Sequence, residues 1–238
     1  MLDNIKDARV RIARGIIRGA DEALDEAERR LIATARELTL RDRVMIAFAH
    51  KMLRTFEALV DDAERERAEA MHHLKTLCES YIYMHAALEN EASAALVLGT
   101  SLLKRIEFWR LNPDLYAPGD SEELKREAKE LCGGRTLPHL RPLAERHSNE
   151  LGQWYNLVYR FACEPAHVGD LDAFLPGSGV GIRGDAPNRV PEAVMALSYG
   201  TQIVLAAADV INTNDIGVRL DVASARAALV ETARSTSA

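Results

Sequence analysis

Each of Leu74, Leu77, Cys78, Tyr81, Ile82, His85 and Leu88 has another member of the set three or four positions away, a pattern that only an amphipathic helix can turn into a single buried stripe. The pattern predicts a helix from about residue 65 to residue 89, with His72, Thr76, Glu79 and Tyr83 on its opposite side. Similar spacing marks the first ~37 residues, where Ile5, Ile12, Ile16, Ala20, Ala23, Ala27 and Leu31 recur by three, four and seven. No stretch alternates apolar with polar as a half-buried strand must, so the expected fold is all-α. Composition agrees. The chain holds 36 alanines, only 5% aromatic residues, and 14 glycines with 8 prolines.

Punctuation divides the remaining helices. Thr39 followed by Asp42 has the form of a capping box with a shorter acid, opening a helix from Leu40 to about Val60. The charged run from Asp61 to Arg67 is helix-compatible surface. A helix from Ala92 to Leu111 stops at Asn112-Pro113, and one opened by Asp120-Ser121-Glu122-Glu123 ends at Gly133-Gly134. Thr136 to Pro142, with two prolines, reads as loop. Helix resumes near His147 and runs to about Cys163. After an irregular region to Asn188, a helix spans Pro191 to about Asn212, with Pro191 in its first turn. A last helix starts at Asp221 and frays into Ser235-Thr236-Ser237. The expected organisation is an N-terminal helical extension (1–43), a helical domain (44–214), and a C-terminal helix with a frayed tail (215–238).

Charge and cysteine usage exclude several roles. A formal net charge of −6 over 238 residues removes a polycation that coats nucleic acid by bulk charge. Three widely spaced cysteines with no C-x-x-C argue against a zinc ribbon or disulfide framework and fit a reducing compartment. The N-terminus lacks the basic-then-apolar order of a signal peptide. The stretch from Ala193 to Ala208 is too short for a bilayer and is interrupted by Ser198, Gly200, Thr201 and Gln202, so it reads as a core helix. A cytoplasmic protein without a membrane partner is expected.

Several motifs carry no chemistry. Gly179 to Gly184 satisfies G-x-G-x-x-G, but Phe174-Leu175-Pro176 precedes it where a strand is needed, and Asp185 to Asn188 delays the next helix. A loop (Gly177 to Pro187) that does not bind nucleotide is expected there. Arg11, Arg14 and Arg18 share a face with Asp7, Asp21 and Glu22 close by and read as a solvated surface. His72 and His73 lack a histidine partner one turn away, and His85 among apolar neighbours reads as a hydrogen-bonded core histidine. No metal or cofactor set emerges.

The segment from Glu150 to His167 is different. At about 100° per residue, Leu151, Trp154, Tyr155, Val158 and Ala162 gather on one side, and Arg160 projects opposite them with Gln153 and Asn156 nearby. Glu164 and His167 would join Arg160 if the helix continued, and Pro165 predicts a kink between them. A guanidinium that grips phosphate bidentately beside an imidazole that moves protons near neutral pH suits phosphodiester chemistry.

This Arg-x6-His at a helix end in an all-α chain resembles the R-x4–6-H signature of the HEPN superfamily (higher eukaryotes and prokaryotes nucleotide-binding domains). The helix from His73 to Ile82, taken with Tyr159-Arg160 and His167, resembles an uncharacterised prokaryotic branch, over about Val44 to Asn212. The resemblance implies a HEPN-like bundle. Many members are metal-independent endoribonucleases, often toxins or phage-defence effectors, with the active cleft between two subunits; others are inactive binding or assembly modules. It implies Arg160 and His167 as cleavage residues, Glu79 as an acidic partner, no cofactor, and a homodimer. RNA and an antitoxin or nucleotidyltransferase protein are its implied partners.

Overall fold

The computed structural model describes residues 2–34, 37–111, 120–163 and 190–214, with single positions at 219, 223, 226, 227 and 230. Every element among them is helical. Three long helices open the chain: α1 (Leu2–Thr34), α2 (Leu40–Glu64) and α3 (Glu69–Leu88). They are followed by α4 (Glu91–Leu111), α5 (Asp120–Cys132) and α6 (Leu140–His147). A composite helix comes next: α7 (Asn149–Gln153), a π-helical stretch (Trp154–Tyr159) and α8 (Arg160–Cys163). The last described helix is α9 (Val190–Thr213).

The core forms where α2, α3 and α9 meet, with α1 packed on α2 and α9. Phe56, Leu59, Leu74, Leu77, Ile82, Leu197 and Ile203 are almost wholly buried there. Gly200 lets α9 approach α2 closely, since a Cβ at that position would stand 2.9 Å from Leu59 Cδ1. By length and composition α9 is sufficient to cross a membrane, and 56% of its most apolar window is buried inside the protein. The helix extends beyond the stretch from Ala193 to Ala208 on which the short-span argument rests. What makes it a core helix is its packing between α1, α2 and α3, not a shortage of length.

The capping box at Thr39 forms as its sequence predicts. The Thr39 hydroxyl accepts from the Asp42 amide at 3.1 Å, and Asp42 accepts from the Thr39 amide at 3.3 Å. The first helix departs from expectation in its buried face. Val10, Ala13, Ile17, Leu24 and Ala27 are buried, whereas Ile5 and Ile12 are only partly so. A helix this rich in alanine offers two competing stripes, and packing against α2 and α9 selects between them. The acidic run from Asp61 is also more than solvated surface. Glu66 takes a left-handed φ of 56° between α2 and α3. Arg14 pairs with Asp61 and, at 2.9 Å, with Glu64; Lys6 pairs with Glu66; His73 reaches Asp62 at 3.2 Å.

Pro142 does not hold the chain in a loop. It lies in the first turn of α6, where its missing N–H has no intrahelical partner to lose. Ser148 then separates α6 from α7, its extended backbone ending one helix while its hydroxyl accepts from the Leu151 amide at 3.0 Å. Glycines 133 and 134 close α5 with φ of 54° and 72°. The 177–187 loop, His167, Glu164, Pro165, Asn112-Pro113, the start of the last helix at Asp221 and the tail from Ser235 lie outside the described residues.

Candidate functional site

The composite helix α7–α8 packs on α3, and its outward side carries the side chains that the sequence singles out. Leu151, Val158 and Ala162 are buried, and Gln153, Asn156 and Arg160 are exposed, as the angular reading predicts. The π-helical stretch between them has no counterpart in that reading. In such a stretch each amide reaches one residue further back, and the Arg160 amide donates to the Tyr155 carbonyl. π-helical turns of this kind occur frequently at functional sites. Here the turn leaves Leu157 on the outer side with 67% of its surface exposed.

Two aromatic side chains of this turn make tertiary bonds in different directions. Trp154 meets Tyr199 of α9 edge-on at 6.4 Å between centroids. Tyr159 donates its hydroxyl hydrogen to Glu79 Oε1 of α3 at 2.9 Å. Burial first, and then this bond to a carboxylate, push the Tyr159 phenol far up, so it stays a protonated donor. Tyr155 stacks on Tyr159 at 5.0 Å, and the Lys75 ammonium lies 5.8 Å from the Tyr159 ring centre. Behind them Cys78 is buried, its Sγ 3.6 Å from the Trp154 carbonyl. Desolvation raises its thiol to about 12, which makes it a packing group instead of a nucleophile.

The structure therefore joins Glu79 to Tyr159, the neighbour of Arg160 in sequence. Arg160 itself is exposed, and its side chain makes no hydrogen bond or ion pair among the described residues. The third predicted site residue, His167, lies outside those residues. The hydroxyl that engages Glu79 escapes sequence reading because helical spacing shows which side Tyr159 occupies, but not which acid lies across from it.

Glu79 has a second neighbourhood. Its carboxylate also lines an open pocket between α2, α3 and α4, where Lys51 and Lys104 are the other charged side chains. These lysines carry no sequence motif. The only trace is spacing, with Val44, Phe48 and Lys51 on one face of α2 and Val97, Ser101 and Lys104 on one face of α4.

The remaining histidines form no ligand set. His85 packs edge-on against Tyr81 at 4.8 Å, and its Nε2 is buried with no hydrogen-bond partner among the described residues, unlike the hydrogen-bonded core residue its sequence suggests. Desolvation, then the nearby His147, lower its pKa, with Glu150 acting in the opposite direction. Among the described residues no group of three or more His, Cys, Asp or Glu side chains is placed to hold a metal ion. Comparison with family models, with curated proteins and with solved structures finds no match to the chain.

Proposed function

We propose that the chain is a HEPN-like, cytoplasmic, metal-independent endoribonuclease of toxin or phage-defence type, working as a homodimer through the outer side of α7–α8. One observation carries this reading: Arg160 is exposed and has no acidic partner among the described residues, on a helix that packs against α3. Arg14 and Arg54, by contrast, are engaged by acids on another helix. A guanidinium left open at a defined place is available for phosphate. The Lys75 ammonium by the Tyr159 ring adds a second positive charge near this helix.

In the proposed reaction a ribose 2′-oxygen attacks phosphorus and the bond to the 5′-oxygen breaks. The products are a cyclic phosphate and a free 5′-hydroxyl. Arg160 stabilises charge on the phosphate oxygens, and His167, whose role rests on the family resemblance, moves the proton. Glu79 acts through Tyr159, fixing the ring and the helix that bears Arg160. An antitoxin or nucleotidyltransferase protein is a partner class consistent with the resemblance.

Purified protein incubated with RNA in EDTA, followed by analysis of product ends, tests the reading. Cyclic phosphate ends are expected. Arg160→Ala and His167→Ala should each lower the rate by ~100-fold or more with little change in melting temperature. Arg160→Lys should rescue poorly, because a point charge does not reproduce the planar fork. Full activity in both alanine variants would overturn the assignment.

The exposed Leu157 next to Asn156 favours a second reading, a non-catalytic HEPN-like module that binds a protein or nucleotide through the same side. RNA or partner binding lost in Arg160→Ala, with no cleavage by the native chain, would select it.

A further inference from the structure

We infer that the pocket between α2, α3 and α4 binds a small organic monoanion, its acidic head between Lys51 and Lys104 and its apolar body on Phe48 and Val97. This pocket lies on a different side of α3 from Arg160 and meets the proposed cleavage site only at Glu79, which lines the pocket and accepts from Tyr159. The pocket has a volume of about 360 Å³, within the range of small-molecule sites. Val44, Phe48 and Val97 are buried and form an apolar floor; Thr100 and Ser101 bring hydroxyls to its wall. This is the usual division of such sites, an apolar interior with a few convergent polar groups.

The charges select the ligand. Lys51, Lys104 and Glu79 are the charged side chains that line the pocket. With all three ionised, one net positive charge remains. Glu79 already accepts a hydrogen bond from Tyr159, and no carboxylate lies within ion-pair distance of either ammonium among the described residues. Lys104 rests 5.9 Å from the centre of the Tyr83 ring, which holds its stem at the mouth of the pocket. Desolvation, partly offset by Glu79 and reinforced by Lys104, lowers the pKa of Lys51. An ammonium in that condition gains most from an anion, and a monoanion neutralises the surplus without leaving Glu79 facing excess negative charge. A neutral amphiphile would fill the floor but leave both ammonium groups unanswered. A cationic one would meet repulsion.

Titration calorimetry of the full chain near pH 7.5 with octanoate, octanol and octylammonium tests the inference. Octanoate should bind saturably, one molecule per chain, with octanol weaker by about tenfold or more. Octylammonium should not bind. Changing both Lys51→Met and Lys104→Met should lower octanoate affinity by about tenfold and leave octanol unchanged, with the melting temperature confirming a folded protein. Lys51→Arg with Lys104→Arg should restore affinity for octanoate. Ser101→Trp, on an exposed position at the rim, should block both octanoate and octanol. Equal affinity for octanoate and octanol, no saturable octanoate binding, or full octanoate affinity in the double methionine variant would each overturn the proposal. None of these outcomes depends on RNA cleavage.

Discussion

Helix α2 has two long sides that use charge in opposite ways. Toward α1 its charges are answered: Arg14 by Asp61 and Glu64, Arg54 by Asp21, and His50 by Glu28 at 2.8 Å. Toward α4, Lys51 and Lys104 line an apolar pocket, and neither has a carboxylate within ion-pair distance among the described residues. The first side holds two helices in register. The second leaves two ammonium groups without an ion-pair partner beside apolar surface, an arrangement that a ligand can complete. Arg160 shares with them only the lack of an ion-pair partner among the described residues.

The largest effect should come from the layer beneath both sides. Phe56 is fully buried at the meeting of α2 and α9, so Phe56→Ala should cost about 3–5 kcal/mol in urea unfolding. Because the layer is shared, octanoate binding and the α1–α2 pairing should fail together in that variant. If binding persisted while stability collapsed, the two sides would be independent units.

A smaller change should separate them. Lys6 is largely buried, and its pairing with Glu66 raises its pKa, with desolvation acting against it. Glu66→Ala should therefore lower stability by about 1 kcal/mol. The loss should shrink in molar salt, where partly exposed pairs are screened. Octanoate affinity should stay unchanged.

The smallest expected effect has the opposite sign. Lys51→Met removes a cation with no ion-pair partner among the described residues, whose desolvation Glu79 only partly offsets, so stability should change by no more than about 0.5 kcal/mol and in the favourable direction. Its pH dependence gives a sharper test. A lysine whose pKa is lowered on folding binds fewer protons in the native than in the unfolded chain as pH approaches 10.5. That difference makes the contribution of Lys51 to stability rise with pH between the lowered value and 10.5. Measured relative to Lys51→Met, the parent protein should therefore gain stability over that range, and a relative loss would contradict the lowered pKa of Lys51.

Spacing and punctuation in the chain determine that it is helical, where α2 begins, where α5 ends, and that Gln153, Asn156 and Arg160 face outward. These are local properties, set by periodicity, capping side chains and the φ freedom of glycine, and they need no knowledge of neighbours. Tertiary structure alone decides which of two stripes α1 buries, because alanine makes both acceptable. It also decides that α9 is enclosed by protein, since a length of 24 residues suits a core or a bilayer equally. The π-helical turn, the Tyr159–Glu79 bond across 80 positions and the convergence of Lys51 with Lys104 arise when α3 receives α2 on one flank and α7–α8 on another. Pairings between distant helices depend on rotation and distance after packing, and a sequence pattern with a period of 3.6 encodes neither.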